Sequence, residues 1–114
     1  MRAAVIALGL AILTAPAGAG PRSIVGDWAA DINDCGTSFV FHVGPRELGS
    51  EGFSCTFSDV SRTGTTVQFV GTCNNGPGPK PETVTATEAD GRLALSFARG
   101  KGRYAGLRRC PVSR

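Results

Sequence analysis

The chain has 114 residues, 41% hydrophobic and 18% charged, with a formal net charge of +3. That is one domain's worth of polypeptide, which excludes a multidomain enzyme. A domain of this size hides only ~60–65% of its unfolded surface, so stability calls for covalent staples, and four cysteines are present to supply them.

Residues 1–19 read as a secretory signal peptide. Met1-Arg2 is a short positive region, Ala3 to Leu13 is an eleven-residue apolar run, and small residues continue to Ala19. As a helix the run would reach ~16 Å, about half of a ~30 Å hydrocarbon core, so no membrane span is expected. Small-x-small cleavage registers end at Ala17 and at Ala19; the second keeps proline out of the recognition triplet and leaves residues 20–114 as a single secreted domain. Its expected destination is the periplasm or the medium, where thiols are normally paired.

After the leader, strand-like runs follow one another with turn signals roughly every ten residues, and no 3.6-residue apolar period persists. The first run covers residues 24–32, with Ile24, Trp28 and Ile32 on one face; the second covers 38–43, with Phe39, Phe41 and Val43 on one face. A short segment at 47–50 precedes two alternating runs, 53–59 and 67–73, around the turn Arg62-Thr63-Gly64-Thr65. With Gly64 at the loop centre, Cys55 falls opposite Cys73 and Phe57 opposite Gly71. Cross-strand Cα atoms lie ~4.5–5.5 Å apart, within disulfide reach. Cys55 is therefore assigned to Cys73 and Cys35 to Cys110, although spacing alone leaves all three connectivities open. No Cys-x-x-Cys is present, which removes support from zinc or redox chemistry.

Residues 74–81, Asn-Asn-Gly-Pro-Gly-Pro-Lys-Pro, read as an exposed loop, because proline donates no hydrogen bond to a ladder and glycine adds no packing. Residues 82–88 and 92–98 flank Asp90-Gly91, a type I′ hairpin signal that sets Ala86 against Leu95 and Val84 against Phe97. A turn at Gly100-Lys101-Gly102 leads into a last run, 103–110.

The expected fold is all-β: a small up-and-down antiparallel barrel of about eight short strands with two disulfides, a two-sheet sandwich being the competitor. Ile24, Trp28, Phe39, Phe41, Val43, Leu48, Phe53, Phe57, Val67, Phe69, Val84, Leu93, Leu95 and Phe97 are the expected inward side chains. They are large, so the interior is expected to be filled rather than hollow.

Gly26-Asp27-Trp28 in the opening strand, with Arg108 and Arg109 at the end of the last, resembles the signature of the calycin (lipocalin/avidin-type) barrels. The resemblance implies that Trp28 packs at the closed end beneath a basic side chain from the final strand, a contact worth ~1 kcal/mol. Pairing Phe97 with Tyr104 turns Arg108 inward, and a one-residue slip turns Arg109 inward. In size, leader, disulfide use and the opening Ser23-Ile-Val-Gly-Asp-Trp28, the chain is similar to the secreted bacterial metalloprotease inhibitors of that superfamily. That similarity implies binding to a hydrolase rather than catalysis.

Residues that could carry chemistry are few. His42 is the sole histidine and has no partner for a metal. There is no Gly-x-Ser-x-Gly elbow, and Gly76-Pro-Gly-Pro lacks the Lys-Ser/Thr of a phosphate loop. Asp27, Asp31, Asp34 and Glu47 are carboxylates whose separation a sequence does not reveal. No catalytic residue, metal or cofactor is expected.

Charge is strongly polarised. Residues 92–114 carry seven basic groups and no acid, against four basic and nine acidic groups in residues 20–91. The basic end is either neutralised by acidic strands beside it or free to meet an anionic partner. Arg99, Lys101 and Arg103, around a glycine turn, are the expected partner-binding set. The functional expectation is a monomeric, non-enzymatic, secreted binding protein with a protein partner, most concretely an inhibitor of a secreted hydrolase or protease. A small-ligand or anionic-lipid carrier and a structural envelope component are the other readings, and no specific nucleic-acid partner is expected.

Overall fold

The computed structural model describes residues 23–100 and 102–112. The expected leader with its cleavage positions, and Lys101, lie outside the described residues. Eight strands follow in chain order: β1 (Gly26–Ala29), β2 (Phe41–Val43), β3 (Glu47–Ser50), β4 (Phe53–Thr63), β5 (Thr66–Asn74), β6 (Pro79–Ala89), β7 (Arg92–Phe97) and β8 (Arg103–Arg109). Each pairs antiparallel with its sequence neighbour, and β8 returns to β1 at Trp28↔Arg109 and Ala29↔Arg108, closing a barrel. The sandwich alternative is thereby set aside.

Period-two alternation decides what fills the barrel. Sixteen buried side chains form one cluster, including Trp28, Phe41, Phe53, Phe57, Phe69, Leu93, Leu95, Phe97 and Leu107. Phe41, Phe53, Phe97 and Tyr104 form a ring circuit with centroid separations of 5.0 to 6.2 Å. Thirteen of the fourteen expected inward residues are buried; the exception is Phe39, 63% exposed.

That exception comes from the first two runs, which are shorter than expected. β1 stops at Ala29, and the chain turns through a 3₁₀ segment, Ile32–Asp34, capped by Asp31, whose Oδ1 accepts from Asn33 N at 2.9 Å. Ile32 is therefore 46% exposed instead of extending the inward face. The Cys35–Cys110 disulfide, with Cα atoms 5.6 Å apart, ties the following loop to the end of β8. Val40 then packs with Ala29, Cys35 and Cys110 in a second small cluster. Ala29 and Val40 have the opposite parity to Trp28 and Phe41, so this cluster lies on the outer face of the barrel.

The β4–β5 hairpin carries a second correction. Thr63 pairs with Thr66, so the loop is Gly64-Thr65 rather than a loop centred on Gly64. Continued unbroken, that register would place Cys55 opposite Asn74. A bulge at Ser58, between Phe57 and Asp59, shifts it by one, and Cys55 meets Cys73 with Cα atoms 4.0 Å apart. Gly71 lies opposite the bulge, where a Cβ would stand 2.6 Å from Phe57 Cα.

Residues 79–81 are also not loop: β6 begins at Pro79, and Pro79, Lys80 and Pro81 pair with Asn74, Cys73 and Thr72. Glu88 N donates to Thr65 O while Thr83 O accepts from Ala98 N, so even-numbered residues of β6 aim their amides at β5 and odd-numbered ones at β7. The prolines occupy odd positions beyond the end of β7, where no ladder partner exists to lose. The β6–β7 hairpin has the expected register, Ala86↔Leu95 and Val84↔Phe97, around Asp90-Gly91 with φ of 55° and 77°.

Candidate functional site

At one end of the barrel, Trp28 is fully buried and its Nε1 donates to Ile24 O at 2.9 Å. Arg109 covers it, with Cζ 4.4 Å from the ring centroid. Its Nη1 and Nη2 donate to Val25 O and Ser23 O at 3.1 and 2.8 Å. Gly26 leaves room for the guanidinium: a Cβ there would lie 3.1 Å from Arg109 Nη1. Of the two registers left open, the Phe97–Tyr104 pairing is not formed: Tyr104 pairs with Leu95, and an irregularity between Leu93 and Leu95 brings Leu107 opposite Leu93. Leu107 and Arg109 therefore share the inner parity, and Arg108 points outward.

The opposite end contains a group the sequence reading missed. Glu82 is only 6% exposed, yet its carboxylate is fully engaged. Oε1 accepts from the amides of Thr83 and Arg99, both at 2.9 Å, and Oε2 accepts from Gly100 N at 2.9 Å. The acid thus holds the β7–β8 turn and forms part of the wall of a cavity of about 420 Å³ with Asn75, Lys80, Phe97 and Arg99. The available signal was parity: Glu82 continues the inward series Val84, Ala86, where a buried acid needs partners.

Beside this end, the barrel seam is incomplete. β1 covers only Arg108 and Arg109 of β8, so residues 103–107 have no ladder partner on that side. A groove of about 700 Å³ follows the uncovered edge, lined by Phe39, Phe41, Tyr104 and Leu107, with Arg103 on one wall and Asp34 and Glu51 on the other. Phe39 is the most exposed of the described aromatic side chains that line it.

Of the two readings of the basic end, neutralisation through ion pairs is not seen among its described arginines. Arg92, Arg99, Arg103 and Arg108 contact no carboxylate of the described residues within salt-bridge distance. Arg99 and Arg103 are both exposed at the groove end of the barrel.

His42 and Asp27 are ladder partners on the outer face, and Nδ1 lies 2.7 Å from Asp27 Oδ1. The row continues from His42 through Gly49 of β3 to Ser54 of β4. Among the described residues no group of three or more His, Cys, Asp or Glu side chains could hold a metal ion. No described helix is long and apolar enough to cross a membrane.

Compared with protein-family models, with curated proteins and with solved structures, the chain matches none. The fold and these local geometries therefore carry the functional argument by themselves.

Proposed function

We propose that this is an exported, non-enzymatic binding protein of calycin-like architecture that seats an extended segment of a protein partner in the groove beside β8, most concretely to inhibit a secreted hydrolase or protease. The observation carrying this reading is the exposed Phe39 above an aromatic floor, along a strand edge with unused ladder positions. An extended segment added to such an edge gains main-chain hydrogen bonds while alternate side chains enter the pocket. An apolar centre with charged surroundings is the usual anatomy of a binding surface. Arg103, free of ion pairs, favours acidic side chains on the β8 side of the segment, with Arg99 exposed at the same end of the barrel, and Asp34 and Glu51 line the groove as well. Two disulfides fit an oxidising compartment.

The test is retention of hydrolases from the periplasm or medium on immobilised mature protein, followed by inhibition assays on each retained enzyme. The native protein should retain and inhibit an enzyme that a Phe39→Ser, Arg103→Glu variant neither retains nor inhibits. Equal behaviour of the two proteins, or failure across a broad panel, removes the reading.

A further inference from the structure

A second surface adjoins the groove and shares Arg103 with it. The outward positions of β6, β7 and β8 are Thr83, Thr85 and Thr87; Arg92, Ala94 and Ser96; and Arg103, Ala105 and Arg108, since Val84, Ala86, Leu93, Leu95, Tyr104 and Leu107 take the inward parity. This three-strand face holds arginine, hydroxyl and small side chains and no acid. Arg92 and Arg108 are direct cross-strand partners, which sets their Cα atoms about 4.5–5.5 Å apart. Like charges in that relation repel, and among the described residues no carboxylate pairs with either.

The register organises the face into rows. Thr85, Ser96 and Arg103 align across the three strands, and Ala89, Arg92 and Arg108 align in another row. Between them lie Thr87, Ala94 and Gly106, small enough to leave a depression of about 360 Å³ lined by Arg92 and Arg103, with Arg108 just beyond it as the cross-strand partner of Arg92. Thr87 Oγ1 is 3.2 Å from Thr66 Oγ1, whereas Thr85 and Ser96 keep their hydroxyls for a ligand. Four residues of strand separate the two arginine rows, about 13 Å along β7.

We propose that this depression binds a saccharide bearing phosphate groups at opposite ends. One phosphate bridges Arg92 and Arg108, relieving their repulsion through forked guanidinium contacts. The second meets Arg103, and sugar hydroxyls exchange hydrogen bonds with Thr85 and Ser96. The volume falls within the ordinary range for a small-ligand site. Either a free sugar bisphosphate or the same group displayed on a lipid has this chemistry.

The experiment titrates the full mature protein with glucose 1,6-bisphosphate, glucose 6-phosphate and inorganic phosphate, by calorimetry and by amide shifts. The bisphosphate should saturate the protein, move the amides of Thr85, Ser96 and Arg103, and bind at least tenfold tighter than either other probe. Arg108→Glu, which gives Arg92 a cross-strand partner and so keeps the fold, should weaken it at least tenfold. Arg103→Ala should reduce the bisphosphate to the affinity of the monophosphate. Co-sedimentation with phosphatidylcholine vesicles carrying an acylated bisphosphorylated saccharide supports the lipid-borne source; binding of the soluble probe without co-sedimentation supports the free one. The inference is overturned by no saturation at millimolar probe, by equal affinity for inorganic phosphate, or by an Arg108→Glu protein that binds unchanged. Because Phe39 lies outside this face, a Phe39→Ser protein that still binds the bisphosphate separates this site from the groove.

Discussion

The guanidinium of Arg109 lies 4.4 Å from the ring centroid of Trp28 while its two terminal nitrogens donate to the carbonyl oxygens of Val25 and Ser23. One side chain from the last strand thus caps the buried tryptophan and fastens the chain leading into β1. Removing it by Arg109→Ala should cost about 2 kcal/mol, combining the cation–π contact with two hydrogen bonds from a charged donor. Arg108→Ala, on the outer face, should stay within about 0.5 kcal/mol. Urea denaturation of both variants, monitored by Trp28 fluorescence, measures the difference.

Gly71 sets the tolerance of the bulge that aligns Cys55 with Cys73. A methyl group at Gly71 would press on the backbone at Thr56 and Phe57, which cannot swing aside as a flexible side chain could. Gly71→Ala should therefore destabilise by about 2 kcal/mol or more, whereas Gly64→Ala, in open space at the hairpin tip, should cost less. Thermal unfolding of the two proteins under oxidising conditions compares them directly.

Glu82 should behave as a structural acid. Glu82→Ala strips the acceptor from the amides of Thr83, Arg99 and Gly100, at a cost of about 2–4 kcal/mol. Glu82→Gln, which keeps one carbonyl oxygen, should lose less. Amide hydrogen exchange at Arg99 and Gly100 should accelerate in Glu82→Ala while that of Leu93 and Leu95 follows global stability.

The two disulfides should differ in what they protect. Cys35–Cys110 spans 75 residues of sequence and Cys55–Cys73 spans 18, so chain entropy assigns about 4 kcal/mol to the first and about 3 kcal/mol to the second. A Cys35→Ser, Cys110→Ser protein should also expose Val40 and Ala29, whose cover the bridge holds in place. Non-reducing peptide mapping checks the pairing, and denaturation of each double variant checks the magnitudes.

Alternation is a local property, and it was legible wherever one face of a strand is apolar and the other polar. Val67-Gln68-Phe69 and Leu93-Ala94-Leu95 assign their own faces, and Asp90-Gly91 specifies its turn through two positive φ angles. The Cys55–Cys73 pairing was legible only in part: alternation around Gly64 suggested it, but the two-residue loop and the bulge at Ser58, which together produce it, are not announced by local pattern. Phe39-Val40-Phe41 offered no such contrast: its apolar run fits either face. Its placement depends on a tether between Cys35 and Cys110, far apart in the chain.

The amino-acid sequence by itself determined the strand periodicity, the all-β class and the concentration of arginines in the last strands, since these follow from neighbouring residues and composition. Tertiary structure alone decided that Arg109 rather than Arg108 covers Trp28, that Glu82 receives amides from residues 99 and 100, and that Arg92 faces Arg108. Each of those outcomes depends on bulges and ladder registers between distant strands, and a one-residue shift exchanges the two faces of a strand.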